Sequence, residues 1–265
     1  MTSKLRKITI RLVSAVTSAP LRIKGIGVAL GLVASWFKRW NEDVEADVFG
    51  NRMLLNSADY LGNMVLFTPK YFDRKERSIV RTMVQKGDYV VDVGANIGIY
   101  TLILASLVTK AGAVVAIEAE QHNANRLRYN LDLNSMDWVV VQQCGVSDKS
   151  EELSLVLDES GNAGAHSFID KKRMDDSRGQ SVMCAPLYSL LDKGRAPAFM
   201  KLDIEGFEYR VLRQYFEDAP MSSWPLNIML EDAPTLREGD AVALAVAQGY
   251  RLLHRIDDNV FLVKQ

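Results

Sequence analysis

The chain alternates short apolar runs with segments of helical periodicity, and the first clear run is Tyr89-Val90-Val91-Asp92-Val93. Its apolar residues fall at successive positions, which predicts a strand covered on both faces. Further strands are predicted near 113–118 and 138–143, with helices at 97–108 and 121–133 between them. That alternation predicts an α/β fold with a doubly wound, mostly parallel sheet of Rossmann-like type. The pattern then changes. Runs 152–157 and 181–187 read as strands around the loop 158–180, which is rich in Gly, Asn, Ser and Asp and long enough to be a candidate substrate lid. Strand 199–204, helix 206–216, strand 226–230 and a helix over 236–248 resume the alternation, and 250–256 with 259–264 predict a C-terminal antiparallel hairpin around Asp257-Asp258. Upstream, helices at 4–18 and 26–40 are split by Pro20, 45–72 reads as an irregular, partly extended lead-in, and a helix covers 73–85. This divides the chain into an N-terminal helical extension, 1–45, and a catalytic domain, 46–265.

The glycines after the first strand indicate a ligand. Gly94 and Gly98 let the backbone turn tightly and approach a bound molecule, and the following helix presents unpaired N–H groups at its start. Twenty residues beyond Gly98, Ala113-Val114-Val115-Ala116-Ile117 ends in Glu118, an acid at a strand tip that suits a ribose diol. A dinucleotide fingerprint needs G-x-G-x-x-G, with its second glycine yielding to a pyrophosphate. Here Ala95 and Asn96 fill the turn, and Asp92 sets a negative charge beside it. That arrangement suits the cationic end of S-adenosylmethionine (SAM) better than NAD.

At this point the chain resembles a known family. Asp92-Val93-Gly94-Ala95-Asn96-Ile97-Gly98-Ile99-Tyr100-Thr101 is similar to the first motif of FkbM-type class I methyltransferases. Phe199-Met200-Lys201-Leu202-Asp203-Ile204-Glu205-Gly206-Phe207-Glu208 is similar to their second signature, K-x-D-x-E-G-x-E, and Asn123, Asn130 and Asn134 lie in a stretch like the family's asparagine-studded segment. The resemblance covers about residues 70–265, with Ala119 standing where many members carry proline. It implies a class I fold and SAM held by Asp92, Gly94, Ala95, Asn96, Gly98, Tyr100, Thr101, Glu118, Ala119 and Asn123. Gly145 and Val146, after the third predicted strand, are placed by position at the edge of the adenine pocket.

Lys201, Asp203 and Glu205 are two apart, so an extended chain sets all three on one face. Asp92, Glu118, Asp203 and Glu231 would lie beyond the carboxyl ends of their strands, where open α/β sheets bind ligands. Asp203 is the first candidate for base or hydroxyl-orienting group, with Lys201 controlling its charge, and Glu205 and Glu231 are candidates for holding substrate hydroxyls. His166 is the alternative base. The competing reading is a salt bridge in a βα turn with Glu208 favouring a helix start. The same carboxylates could gather a divalent ion, but no metal is assigned. Glu76, in Asp73-Arg74-Lys75-Glu76-Arg77, reads as a surface residue at least as readily as a site acid. These features predict a SAM-dependent O-methyltransferase acting on a small molecule, a sugar or glycan, or a lipid-linked acceptor. The rivals are a nicotinamide-dependent oxidoreductase, disfavoured by the glycine order, and a non-catalytic SAM-binding subunit, disfavoured by the charges at 201, 203 and 205.

Composition narrows the partners. The 265 residues are 48% apolar, enough for one enzyme-sized domain. Cys144 and Cys184 lack metal-ligand spacing and His122, His166 and His254 are scattered, which argues against zinc and for a reducing, cytoplasmic setting. The net charge of −1 conceals an asymmetry: residues 1–41 hold eight basic side chains and no acid, leaving 24 basic against 33 acidic groups in the remainder. Nucleic acid is therefore an unsuitable partner for the body of the protein. The basic cluster Lys171-Lys172-Arg173 is followed at once by Asp175 and Asp176 and reads as a solvated loop. In the N-terminal part the 12-residue apolar run Ile26 to Phe37 would reach about 18 Å as a helix, short of a hydrocarbon core of about 30 Å. Arg11 interrupts the first apolar stretch, against a secretory signal. Two readings stand: a helical arm packed on the catalytic domain or on a second copy in a homodimer, and an interfacial anchor in which residues 1–40 make peripheral contact with anionic lipid.

Overall fold

The computed structural model describes residues 2–18, 26–156, 167–169, 179–233 and 239–265. The N-terminal part comprises α1 (Ser3–Ser18), α2 (Ile26–Lys38), the hairpin of β1 (Asp43–Val48) and β2 (Asn51–Asn56), α3 (Tyr60–Phe67) and α4 (Arg74–Met83). The alternating body follows with β3 (Tyr89–Val93), α5 (Ile99–Val108), β4 (Ala113–Ile117), α6 (Gln121–Leu133) and β5 (Val139–Gln142). Next come β6 (Gly145–Ser147), β7 (Glu151–Val156), β8 (Ser167–Ile169) and β9 (Gly179–Pro186). The chain continues through β10 (Phe199–Leu202), α7 (Glu208–Asp218), β11 (Asn227–Glu231), α8 (Ala241–Ala247), β12 (Tyr250–Ile256) and β13 (Asn259–Lys264).

Seven strands form the central sheet in the order β12-β13-β11-β10-β3-β4-β5. The five from β11 to β5 are parallel, and β13 runs antiparallel to both β11 and β12. This is the doubly wound sheet with a closing hairpin that the sequence predicts. β3 is buried at every position because both its faces are covered. Val90 packs into one layer with α3, α5 and α6, while Tyr89, Val91 and Val93 pack into the other with α7, α8 and the smaller sheet β6-β9-β7-β8.

Several boundaries differ from expectation. Residues 45–72 are not irregular: they hold most of the β1/β2 hairpin and all of α3. The expected division at residue 45 falls inside β1, and Ile10, Ala34 and Phe37 of the N-terminal helices belong to the same buried layer as α5. Asn130 and Asn134 explain part of the asparagine-rich segment. Asn130 Oδ1 accepts from Leu54 N at 2.7 Å while its Nδ2 donates to Ile97 O at 2.9 Å. Asn134 Oδ1 accepts from Arg52 N at 2.8 Å and its Nδ2 donates to Arg52 O at 2.7 Å. The two amides thus satisfy backbone groups along β2, on the edge where no strand among the described residues pairs with it, and tie it to α6. The candidate lid, 158–180, lies outside the described residues except for β8 and the start of β9, and His166 is outside them altogether.

Candidate active site

The two motifs meet at one point. Gly94 has φ of 78°, and a Cβ built on it would lie 1.8 Å from the Asp203 carbonyl oxygen, so no residue with a side chain fits the turn as it stands. Gly94 N and Ala95 N both donate to Ile117 O at 3.0 Å, and Asp203 N donates to Val93 O at 3.1 Å, which stitches together the ends of β3, β4 and β10. Gly98 serves packing: its missing Cβ makes room for Leu127, whose Cδ1 would otherwise be 2.4 Å away.

Glu118 braces the same turn. Its Oε2 accepts from Asn96 N at 2.7 Å and its Oε1 from Glu120 N at 2.8 Å. Burial pushes its pKa up to about 7 against these two donors, which pull it down. Lone pairs remain on both oxygens, and the carboxylate lines the cavity.

The second motif is not one extended face. β10 stops at Leu202, and the chain turns through Glu205 (φ 54°) and Gly206 (φ 100°) before α7 begins at Glu208, later than the expected 206. Glu208 accepts from Ile204 N at 2.7 Å and from Gly206 N at 3.0 Å, so the last acid of the motif holds the turn that carries Asp203 and Glu205. Lys201 Nζ donates to Asp203 Oδ2 at 2.8 Å and lies 3.8 Å from Asp92 Oδ1. Burial opposes the lysine charge, but Asp203, Asp92 and Glu231 outweigh it and raise its pKa. The expected salt bridge is present, and it lies in the wall of the cavity.

That cavity, about 370 Å³, is within the usual size for a small-molecule site. Gly94, Ala95, Asn96, Tyr100, Glu118, Ala119, Asn123, Gly145 and Val146 line one part of it, and Lys201, Asp203, Glu205 and Glu231 another. Asp92, Gly98 and Thr101 do not line it. Asp92 is fully buried, accepts from Thr101 Oγ1 at 2.6 Å and faces Lys201, so it cannot meet a cationic ligand directly as expected. The carboxyls that do reach the cavity on this side are Asp203, Glu205 and Glu231. Two further features have no signal in the sequence, and a third, Glu76, departs from its surface reading. Tyr60, Leu61 and Met64 of α3 form an apolar wall. Asp73, at φ of 41°, turns its carboxylate to accept from Tyr100 Oη at 3.0 Å in place of capping α4. Glu76 is buried, not a surface residue.

Asp203, Glu205 and Glu231 each bring a carboxylate oxygen within 4.8 Å of the others. Burial and then the neighbouring acids raise Glu205 to about 7 and push Glu231 still higher. Such a set can share protons or hold a hard divalent cation.

Residues 92–252 match the family model of the methyltransferase FkbM domain. The chain belongs to this family. Its fold is the Rossmann-like class I methyltransferase fold, and the protein is a methyltransferase whose methyl donor is SAM. No curated protein matches the chain. Among solved structures, it is similar to methyltransferase FkbM from Methylobacillus flagellatus KT at 17% identity, with a TM-score of 0.43, over 90% of this chain and 60% of that one. It is also similar to M. jannaschii TYW2 in complex with AdoMet, at 14% identity and a TM-score of 0.44 over 83% of each chain. A third is a putative rRNA-methylase from Clostridium thermocellum, at 15% identity and a TM-score of 0.40 over 71% of this chain and 92% of that one.

The residues present fit SAM: a side-chain-free turn at Gly94 and a strand-tip acid at Glu118, both lining the cavity. Glu118→Ala is expected to cost about 1.5–3 kcal/mol of SAM affinity, the usual worth of charge-assisted hydrogen bonds. Calorimetric titration checks this, with Glu118→Gln as the partner variant because it retains an acceptor for Asn96 N. Unchanged affinity in both would remove Glu118 from the cofactor site.

The raised carboxyls also set a pH dependence. Glu118, Glu205 and Glu208 titrate near 4.5 in an ordinary setting and near 7 in the fold. Between those values the folded protein binds more protons than the unfolded chain, so their contribution to stability is full below 4.5 and is lost as the pH rises to 7. The ligand-free methyltransferase is expected to melt higher at about pH 5 than at about pH 8. A calorimetric scan showing the reverse would mean that these groups ionise normally in the fold.

Proposed function

We propose that the protein methylates a hydroxyl oxygen on a small molecule, a sugar or glycan, or a lipid-linked acceptor. The observation that carries this reading is the Lys201–Asp203 pair in the cavity wall, packed against the Gly94 turn. Bound SAM supplies an electrophilic methyl group on a sulfonium. Gly94, Asn96, Glu118 and Asn123 would hold it, with Gly145 and Val146 beside its base. Asp203, held by Lys201 at Oδ2 and hydrogen-bonded to Glu231, would exchange the Glu231 contact for an incoming hydroxyl and take up its proton. Lys201 Nζ fixes the orientation of the Asp203 carboxylate through their 2.8 Å hydrogen bond. Glu205 and Glu231, with raised pKa values, can donate to neighbouring hydroxyls as well as accept from them. Alignment of donor and acceptor contributes about 7–11 kcal/mol in favourable cases, and proton removal less. The acidic rim disfavours a polyphosphate acceptor, which supports a small or glycan substrate over RNA.

The test is incubation of the protein with isotopically labelled SAM and extracts or glycans from its native host, followed by mass analysis of what gains a methyl group. An alkali-stable methyl ether is expected. Label on nitrogen, carbon, a carboxyl ester or RNA would overturn the reading. Loss of transfer on chelation, restored by a divalent ion, would reassign Asp203, Glu205 and Glu231 to metal binding.

A further inference from the structure

α1 carries apolar side chains on both of its sides. Ile10, Ser14 and Thr17 point inward and are buried, with Thr17 Oγ1 donating to Leu66 O of α3 at 3.3 Å. On the opposite side Leu5, Ile8, Leu12 and Val16 follow helical spacing and face outward, with Leu12 64% and Val16 62% exposed. Lys4 and Arg11 flank this stripe and make no ion pair among the described residues, whereas Arg6 and Lys7 turn towards Glu42. α2 continues the theme: Leu32 is 72% and Trp36 52% exposed, with Lys38 and Arg39 exposed at its end. No helix among the described residues is long and apolar enough to cross a membrane.

We propose that α1 and α2 seat the protein on an anionic lipid surface. Leucines and a tryptophan enter the boundary between headgroups and chains, while lysine and arginine meet the lipid phosphates, the pattern of an interfacial helix. A second copy is a poor occupant, because a two-fold contact would set one basic, acid-free face against another. One wall of the cavity is built on the element that carries both helices. Both helices pack on α3, α2 through a hydrogen bond from Asn63 Nδ2 to Ala34 O at 3.0 Å, and α3 supplies Tyr60, Leu61 and Met64 to the cavity wall. Docking therefore brings that wall towards acceptors carried in the lipid surface. This last step rests on the hydroxyl-acceptor reading; docking itself does not.

The experiment is flotation of the full chain with vesicles of phosphatidylcholine alone or mixed with phosphatidylglycerol, without acceptor or turnover. Binding to the anionic vesicles is expected, weakened by salt. Leu5→Asp with Leu12→Asp should weaken it about tenfold or more, and Lys4→Gln with Arg11→Gln should reduce it and flatten its salt dependence. Melting temperature and SAM affinity should be unchanged in both pairs, since the substituted side chains are exposed and remote from the cavity. Absence of anionic-vesicle binding by the full chain, or binding indifferent to both pairs of substitutions, overturns the proposal. So does a dimer that the aspartate pair dissolves while vesicles bind nothing.

Discussion

Asp203→Asn is expected to lower turnover by about 10²- to 10⁴-fold, the range for loss of a positioned general base, while SAM affinity stays within about threefold of the parent. The amide keeps the shape of the carboxylate and its place beside Lys201 Nζ, 2.8 Å away, but it carries no charge and cannot take a proton. The affinity is preserved because the cofactor cradle touches the Asp203 backbone, which the substitution leaves in place. A second readout separates chemistry from structure. Asp203 raises the pKa of Glu205 and Glu231, so removing its charge should let both ionise at lower pH and move the pH–rate profile in the acid direction. Single-turnover rates with calorimetric SAM binding check the split. Near-normal turnover in the variant would remove Asp203 from the transfer step.

Gly94→Ala is expected to destabilise the protein by about 2–5 kcal/mol, combining strain at a positive φ with overpacking. The obstacle is backbone: the new methyl would overlap the Asp203 carbonyl, and relief requires β3 and β10 to separate at their ends. Gly50→Ala is the control. It also has a positive φ, 87°, but nothing lies within 4 Å of the added carbon. Its cost should be the conformational part alone, about 1–2 kcal/mol. Urea titrations of the two variants check the difference, and equal losses would mean that the β3 turn can open without disturbing β10.

The central sheet is legible in the sequence because burial on both faces leaves apolar runs such as Tyr89–Val91 and Val114–Ile117, and because glycines punctuate them. Lys201, Asp203 and Glu205 are legible as charges where a buried strand should end. The β1/β2 hairpin is harder to read. Val44, Val48, Met53 and Leu55 do alternate, but the turn between them puts Phe49, a bulky residue, at φ of 55°, a conformation the sequence gives no reason to expect. Its cause is tertiary: the ring stacks on Phe72 and under the Arg77 guanidinium, both from beyond α3. The apolar cavity wall and Asp73 are hidden for a related reason, since nothing local indicates that α3 and the start of α4 fold back over the sheet. Asp92 shows the opposite failure. Its charge is legible, but its neutralisation by a lysine from a strand more than 100 residues later is visible only in the fold.

The position of β13 bears on how the protein is made. It lies between β11 and β12, antiparallel to both, so β12 leaves the ribosome before the strand it pairs with. Until residue 264 has emerged, β11 is an open edge of a parallel sheet, and Asn259 has not joined the cavity. Glu231, at the end of β11, therefore waits on that edge for a neighbour. The Glu231 side of the cavity is completed long after the turn at Gly94, and a nascent chain stalled between residues 231 and 259 would present an aggregation-prone strand beside a nearly finished cradle.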